Sequence, residues 1–245
     1  MDLFSFPPVA AVLHAAYGAL WWLAGILTPV AGAGAAAAAV VLVTLIVRAA
    51  LIPVGISQAK AEQTRARLAP RLRDLQQRHR RDPERLQRET MKLYQDENAS
   101  PLAGCLPLLA QAPVVGIIYA LFLHTSIDGQ ANALLSETLW GVPLGTSAFG
   151  ALTHGALDAP SALVLFAVVV LIAAVGELTR RLLRPPVVAD ASPLATRMTS
   201  VAGVLQFATA VVALFVPLAA GLYLLVTVSW TLAQRIVLRR RYPLE

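Results

Sequence analysis

AAAAAVVLVTLIVRAALIPVGI, residues 35–56, is the stretch on which the reading of this chain turns: 22 residues, apolar except for Thr44 and Arg48, and long enough to cross a bilayer as a helix. A guanidinium at membrane depth costs a few kcal/mol or more, so such residues face a wet cavity or a partner rather than lipid. The competing reading is that Arg48, eight residues from the end of its span, snorkels to the interface. Thr44 lies one turn away on the same helix face, where a polar stripe would begin.

Working outward, 57% hydrophobic and only 14% charged residues place the chain in the membrane class and outside the soluble globular range. Four more segments have spanning length, namely residues 102–123, 161–183, 198–216 and 218–238. The expected fold is an all-α polytopic membrane protein with a five-helix transmembrane core. Apart from Arg48, every Lys and Arg falls within Ser57–Ser100, Arg180–Arg197 or Arg235–Arg241, while residues 1–34 and 124–160 contain none. The positive-inside rule then puts the N-terminus outside and the tail, 239–245, in the cytoplasm. Residues 124–160 form an outer loop and 184–197 a cytoplasmic one. The net charge of +6 follows from this asymmetry and does not call for sequence-specific nucleic-acid binding.

Residues 1–34 read as an outer interfacial segment. Val9–Leu27 is apolar, carries His14, Tyr17, Trp21 and Trp22, and lacks the cationic start of a secretory signal. A sixth span has the necessary length and would leave the N-terminus inside.

Residues 57–101 are the one sizeable hydrophilic region, with eleven Lys or Arg against seven Asp or Glu in Ser57–Ser100. Leu68, Leu72 and Leu75, then Leu86, Leu93 and Tyr94, recur at helical spacing, and Asp82-Pro83-Glu84 is a cap followed by proline at the first helical position. The pattern predicts a helical hairpin turning near Arg80–Asp82, with a bend at Pro70. Its cations are Lys60, Arg65, Arg67, Arg71, Arg73, Arg78, Arg80, Arg81, Arg85, Arg88 and Lys92. They form either a solvated, topology-fixing face or a docking surface.

Other polar residues sit one per predicted span: Gln111 between Pro107 and Pro113, Gln206, and in the last span Thr227, Thr231 and Gln234 at i, i+4, i+7 with Trp230 alongside. Singly, each fits an interhelical hydrogen bond. Together with Arg48 they suggest a shared hydrophilic groove. Glu177 is the one acid inside a span, and Arg180 and Arg181 at i+3 and i+4 are its expected partners. No metal-ligand spacing, phosphate loop or nucleophile elbow is present, so neither a cofactor nor an enzymatic activity is expected.

These residues resemble the YidC-type membrane-protein insertase family, over about Thr44–Gln234. The resemblance rests on the arginine-then-proline pattern Arg48–Pro53, the hairpin segments Leu68-Ala69-Pro70 and Met91-Lys92-Leu93-Tyr94, and the run SPLAGCLPLLAQAP, residues 100–113, with Met198–Pro217 and Gly221-Leu222-Tyr223 as a final helical pair. It implies five core helices around a positively charged groove open to cytoplasm and lipid, with Arg48 as the groove arginine and Gln111 as a polar groove position. It also implies insertion and folding of nascent membrane proteins in a bacterial plasma membrane, alone or beside the Sec translocon, with the signal-recognition-particle receptor and the ribosome as further partners. Leu225-Val226 stand where the family usually has an aromatic pair, although Trp230-Thr231 and Gln234 are similar to variants in high-GC Gram-positive bacteria. The large external domain of Gram-negative members has no counterpart here, and the four residues after Arg241 do not favour a tail-dependent ribosome dock. A small-solute transporter with Arg48 in its cavity, lacking the inverted repeat expected of that design, and an assembly chaperone without tail translocation are the competing classes.

Overall fold

The computed structural model describes residues 7–97, 116–122, 124, 126–127, 130–155, 157–183 and 207–243. These divide into two units, one from 1–48 with 114–232, the other from 49–113 with 233–245. Three runs among the described residues are long and apolar enough to cross a membrane: Pro8–Ala50, Ala159–Leu182 and Leu218–Arg241. The expected second span is described only over residues 116–122, which are helical, and the expected fourth only from Phe207 onward.

The first unit starts with α1 (Pro7–Ala31) and α2 (Ala35–Ala50), separated by a 3-10 turn, Gly32–Gly34. Gly32 has φ +52°, a left-handed conformation that glycine adopts without a Cβ penalty, and the chain reverses there. Ala16, Ala19 and Leu20 of α1 and Val40, Val43 and Val47 of α2 line one crevice, so the two helices lie side by side and antiparallel. α2 stops at Ala50, short of the Ile56 that hydropathy suggests. Pro53 lacks an N–H, its ring conflicts with the carbonyl of Ala49, and a new helix begins at Ile52 with the proline in its first turn.

The described residues between 126 and 158 include two short antiparallel strand pairs, β1 (Ser126–Ile127) with β2 (Gln130–Ala131) and β3 (Thr138–Leu139) with β4 (Val142–Pro143), followed by α5 (Ala148–Thr153). Asn132, only 5% exposed, ties this loop to the helix before it. Its amide donates to the carbonyls of Leu121 and His124, and its oxygen accepts from the Leu134 N–H at 3.2 Å.

Next come α6 (Ala159–Leu182), α7 (Ala208–Phe215) and α8 (Leu218–Arg241). Asp158 caps α6 by accepting from the Ser161 N–H at 3.1 Å, and the Ser161 hydroxyl together with that N–H holds its carboxyl below the ordinary range. α6 buries Val164, Leu165, Val168 and Ile172 while Leu163, Phe166 and Val170 stay exposed, the pattern of a helix with one protein face and one lipid face. Ala219, Ala220 and Gly221 of α8 are buried, and a Cβ on Gly221 would stand 3.4 Å from Val168 Cγ1. Apolar side chains gain little from leaving lipid for protein, so such small residues secure packing by letting backbones approach. The first N–H groups of α8 are not orphaned: Leu218 donates to the Thr146 carbonyl at 2.9 Å and Ala219 to the Leu144 carbonyl at 3.1 Å.

The second unit is built on α3 (Ile52–Arg78) and α4 (Pro83–Asp96). Asp82 accepts from the Arg85 N–H at 3.0 Å, so the Asp-Pro-Glu sequence starts α4 as its chemistry predicts. α3 continues through Pro70. Arg67 and Arg71 of α3 grip Glu97, just beyond α4, at 2.8 and 2.5 Å. The last turns of α8 and its tail lie on α3 through Arg235–Glu62 at 3.3 Å and the Gln63 amide donating to the Pro243 carbonyl at 3.1 Å.

Asn132→Ala leaves two carbonyls and one N–H without their partner, each buried group costing roughly 1–3 kcal/mol. Thermal unfolding in detergent should show a clear drop in midpoint, far larger than that of Ser136→Ala on the exposed part of the same loop.

Candidate functional site

Thr44 and Arg48 occupy successive turns of α2, and Tyr223 and Thr227 successive turns of α8. The Tyr223 hydroxyl lies within Coulombic reach of both the Arg48 guanidinium and Tyr119, in the helical residues 116–122. Three helical segments of the first unit thus bring one cation and two phenols together inside an otherwise apolar body. Tyr223 is 2% exposed, yet its hydroxyl and Thr227 Oγ1 are buried with no hydrogen-bond partner among the described residues. Among the described residues no acid pairs with Arg48. Glu177 instead takes Arg180 through two bonds of 2.7 Å and Arg181 at 2.6 Å, as the i+3 and i+4 spacing predicts.

The remaining sequence-derived candidates are distributed unevenly. Thr44 is buried next to Arg48, but its hydroxyl donates to its own helix at Val40 O, 2.6 Å away, which leaves its oxygen only as an acceptor toward the site. Thr231 likewise donates to the Thr227 carbonyl at 2.8 Å, and half-buried Trp230 belongs to the same unit. Gln234 does not join them. It belongs to the second unit and is pressed against Gly55, where any Cβ would overlap its amide. Gln111 and Gln206 lie outside the described residues.

Sequence reasoning missed Tyr223 and Tyr119 as parts of the polar cluster, because tyrosine in an apolar run reads as a core aromatic. It also missed the apolar crevice, about 200 Å³, between α1, α2 and residues 116–122, lined by Leu20, Val43, Val47, Ile118 and Leu121. Val47 lines that crevice and its neighbour in sequence is Arg48, so apolar and cationic surface adjoin at this turn of α2. The arrangement offers a half-buried cation and two phenolic groups to a polar ligand, and an apolar crevice to an apolar one. Among the described residues no three His, Cys, Asp or Glu side chains converge as metal ligands would.

In the second unit all eleven hairpin cations, from Lys60 to Lys92, are exposed. Arg67 and Arg71 are engaged by Glu97, and Lys60 stands 5.9 Å over the Tyr242 ring.

An unpartnered buried hydroxyl costs about 1–3 kcal/mol, so Tyr223→Phe should raise the unfolding midpoint in detergent. An unchanged or lower midpoint would mean that the hydroxyl is satisfied.

Comparison with known proteins assigns a lineage to this architecture. The family model described as 60Kd inner membrane protein matches residues 27–245. The chain is 38% identical over 100 residues to the membrane protein insertase YidC of Clostridium perfringens, covering 40% of this chain and 42% of that protein. It is 35% identical over 102 residues to the protein of the same name from Aquifex aeolicus, 42% of this chain and 20% of that one. With the Helicobacter pylori (strain 26695) protein of that name it shares 41% over 92 residues, 38% of this chain and 17% of that one. In each case the match spans less than half the length of the relative.

Proposed function

Because the chain belongs to the 60Kd inner membrane protein family, we propose that it is a bacterial membrane-protein insertase and folding chaperone, working without cofactor or catalysed covalent chemistry. The observation that supports this most directly is the polar cluster of half-buried Arg48 and Tyr119 around buried Tyr223, set in an apolar helical unit. On this reading a groove open to cytoplasm and lipid carries Arg48, Thr44, Thr227, Trp230 and Thr231, with Gln111 and Gln206 as further polar positions.

A substrate's hydrophilic tail must cross about 30 Å of hydrocarbon, in which each unsatisfied polar group costs several kcal/mol. A polar groove shortens the dry part of that path. Arg48 attracts acidic or polar tail groups through charge-assisted hydrogen bonds, and the hydroxyls of Tyr223 and Thr227 offer neutral ones. The substrate's apolar segment then partitions into lipid, a transfer worth about 25 cal/mol per Å² of apolar surface, and this drives insertion without nucleotide hydrolysis. The membrane potential adds about 2.3 kcal/mol per charge per 100 mV in favour of outward movement of acidic tails. The N-terminus is outside and the cationic hairpin is cytoplasmic, where it meets the ribosome, the signal-recognition-particle receptor and the Sec translocon while nascent membrane proteins enter the groove.

The test is protease protection of a single-span substrate in liposomes holding the purified protein. Losing one charge-assisted hydrogen bond, worth about 1.5–3 kcal/mol, should slow insertion of an acidic-tailed substrate about tenfold or more in Arg48→Ala, provided the variant stays folded. An uncharged tail should be affected much less, and equal loss for both would remove the charge from the mechanism.

A further inference from the structure

The turn between β3 and β4 carries a tryptophan where hairpins ordinarily place asparagine or glycine. Leu139 pairs with Val142, leaving Trp140 and Gly141 as a two-residue loop with φ of +50° and +84°, both left-handed, as a type I′ turn requires. For a bulky side chain this conformation is a genuine outlier, held only where the surroundings enforce it. Here they do. Val142 and Leu144 are fully buried and Leu134 is 2% exposed, so the hairpin is rooted in the core, and its rigid tip holds Trp140 79% exposed.

A second apolar projection stands at the same end of this unit. α5 buries Ala148 and Ala151 and exposes Phe149 and Leu152, with Ser147 capping it by accepting from the Gly150 N–H at 3.1 Å. The Phe149 ring lies 5.0 Å from that of Phe215, the last residue of α7, whose exposed face continues through Val211 and Val212. The exposed side of α5 therefore prolongs the lipid-facing surface of a helix packed on the spanning helix α6. Residues 124–160 contain no Lys or Arg.

We propose that the Trp140 turn and α5 are membrane-interface anchors, seated in the headgroup and upper acyl layer of the leaflet at this end of the unit. Tryptophan is the residue that membrane proteins concentrate at that depth, its ring apolar and its N–H able to bond ester or phosphate oxygens, and Phe and Leu form the inserted side of interfacial helices. Trp140 sits beside the α1–α2 turn, where Leu139 Cδ1 would contact a Cβ on Gly34 at 3.9 Å, while Phe149 sits beside α7. The two anchors grip the bilayer from different sides of the helical unit and set its depth. This inference stands on the spanning helices alone and not on the insertase activity.

The test uses the full chain in phospholipid vesicles with Trp21, Trp22 and Trp230 replaced by Phe, leaving Trp140 as the sole tryptophan. Its emission should be blue-shifted, quenched more by bromines placed near the carbonyl end of the acyl chains than by bromines near their methyl end, and only weakly quenched by aqueous acrylamide. Should the triple replacement prevent folding, a nitroxide at Leu152→Cys in a Cys105→Ser background should be more accessible to oxygen than to a water-soluble nickel chelate. Strong acrylamide quenching without bromolipid quenching would overturn the proposal and leave the turn in water. Protection from both quenchers would overturn it in favour of a protein partner or a second copy.

Discussion

Everything in the first unit is arranged around the difficulty of keeping a guanidinium and several hydroxyls inside an apolar helical body. Arg48 comes two residues before α2 ends, where Pro53 forces the chain to begin a new helix. α8, which carries Tyr223, is allowed close approach to α6 by small residues such as Gly221 rather than being drawn to it by hydrophobic burial. Thr44 is satisfied by its own backbone, Glu177 is committed to its local arginines, and what is left facing Arg48 is phenolic. Among the described residues no salt bridge neutralises Arg48.

Much of this was legible in the sequence, because hydropathy and local chemistry are local properties. The apolar runs, the isolation of Arg48, the Asp82 cap and the pairing of Glu177 all depend on residues within a few positions of each other. What depended on distant packing was not legible. Thr227, Thr231 and Gln234 share a helical face by spacing, but that face meets different neighbours along its length, and Gln234 ends against Gly55 in the other unit. Nothing in the pattern announced that Tyr223 would stand between Arg48 and Tyr119. The aromatic α1 suited either an interfacial or a spanning reading, and its side-by-side packing on α2 follows from the positive φ of Gly32, which hydropathy does not register.

The second unit obeys different physics, since most of its charged side chains are exposed. Exposed ion pairs such as Arg67–Glu97 are worth little, about 0–1 kcal/mol, and an excess of cations over acids is repulsive. The hairpin is therefore held by its cap, by the buried Leu68 and by the tail of α8 lying along α3. That leaves its cationic surface available to anionic surfaces, at an affinity that falls as salt rises.

The start of α8 shows how this protein secures a junction without specifying it in side chains. Its first free N–H groups are received by the main-chain carbonyls of Thr146 and Leu144. A cap made by Ser or Asp is lost to a single base change in the gene, whereas a carbonyl acceptor is supplied by whatever amino acid occupies the position. The loop's side chains can therefore diverge while the joint persists, and damage there requires a change of backbone path, through an inserted or deleted residue or a misplaced proline. The weld between loop and last helix is encoded as a shape, which makes it tolerant of point mutation and brittle to changes in length.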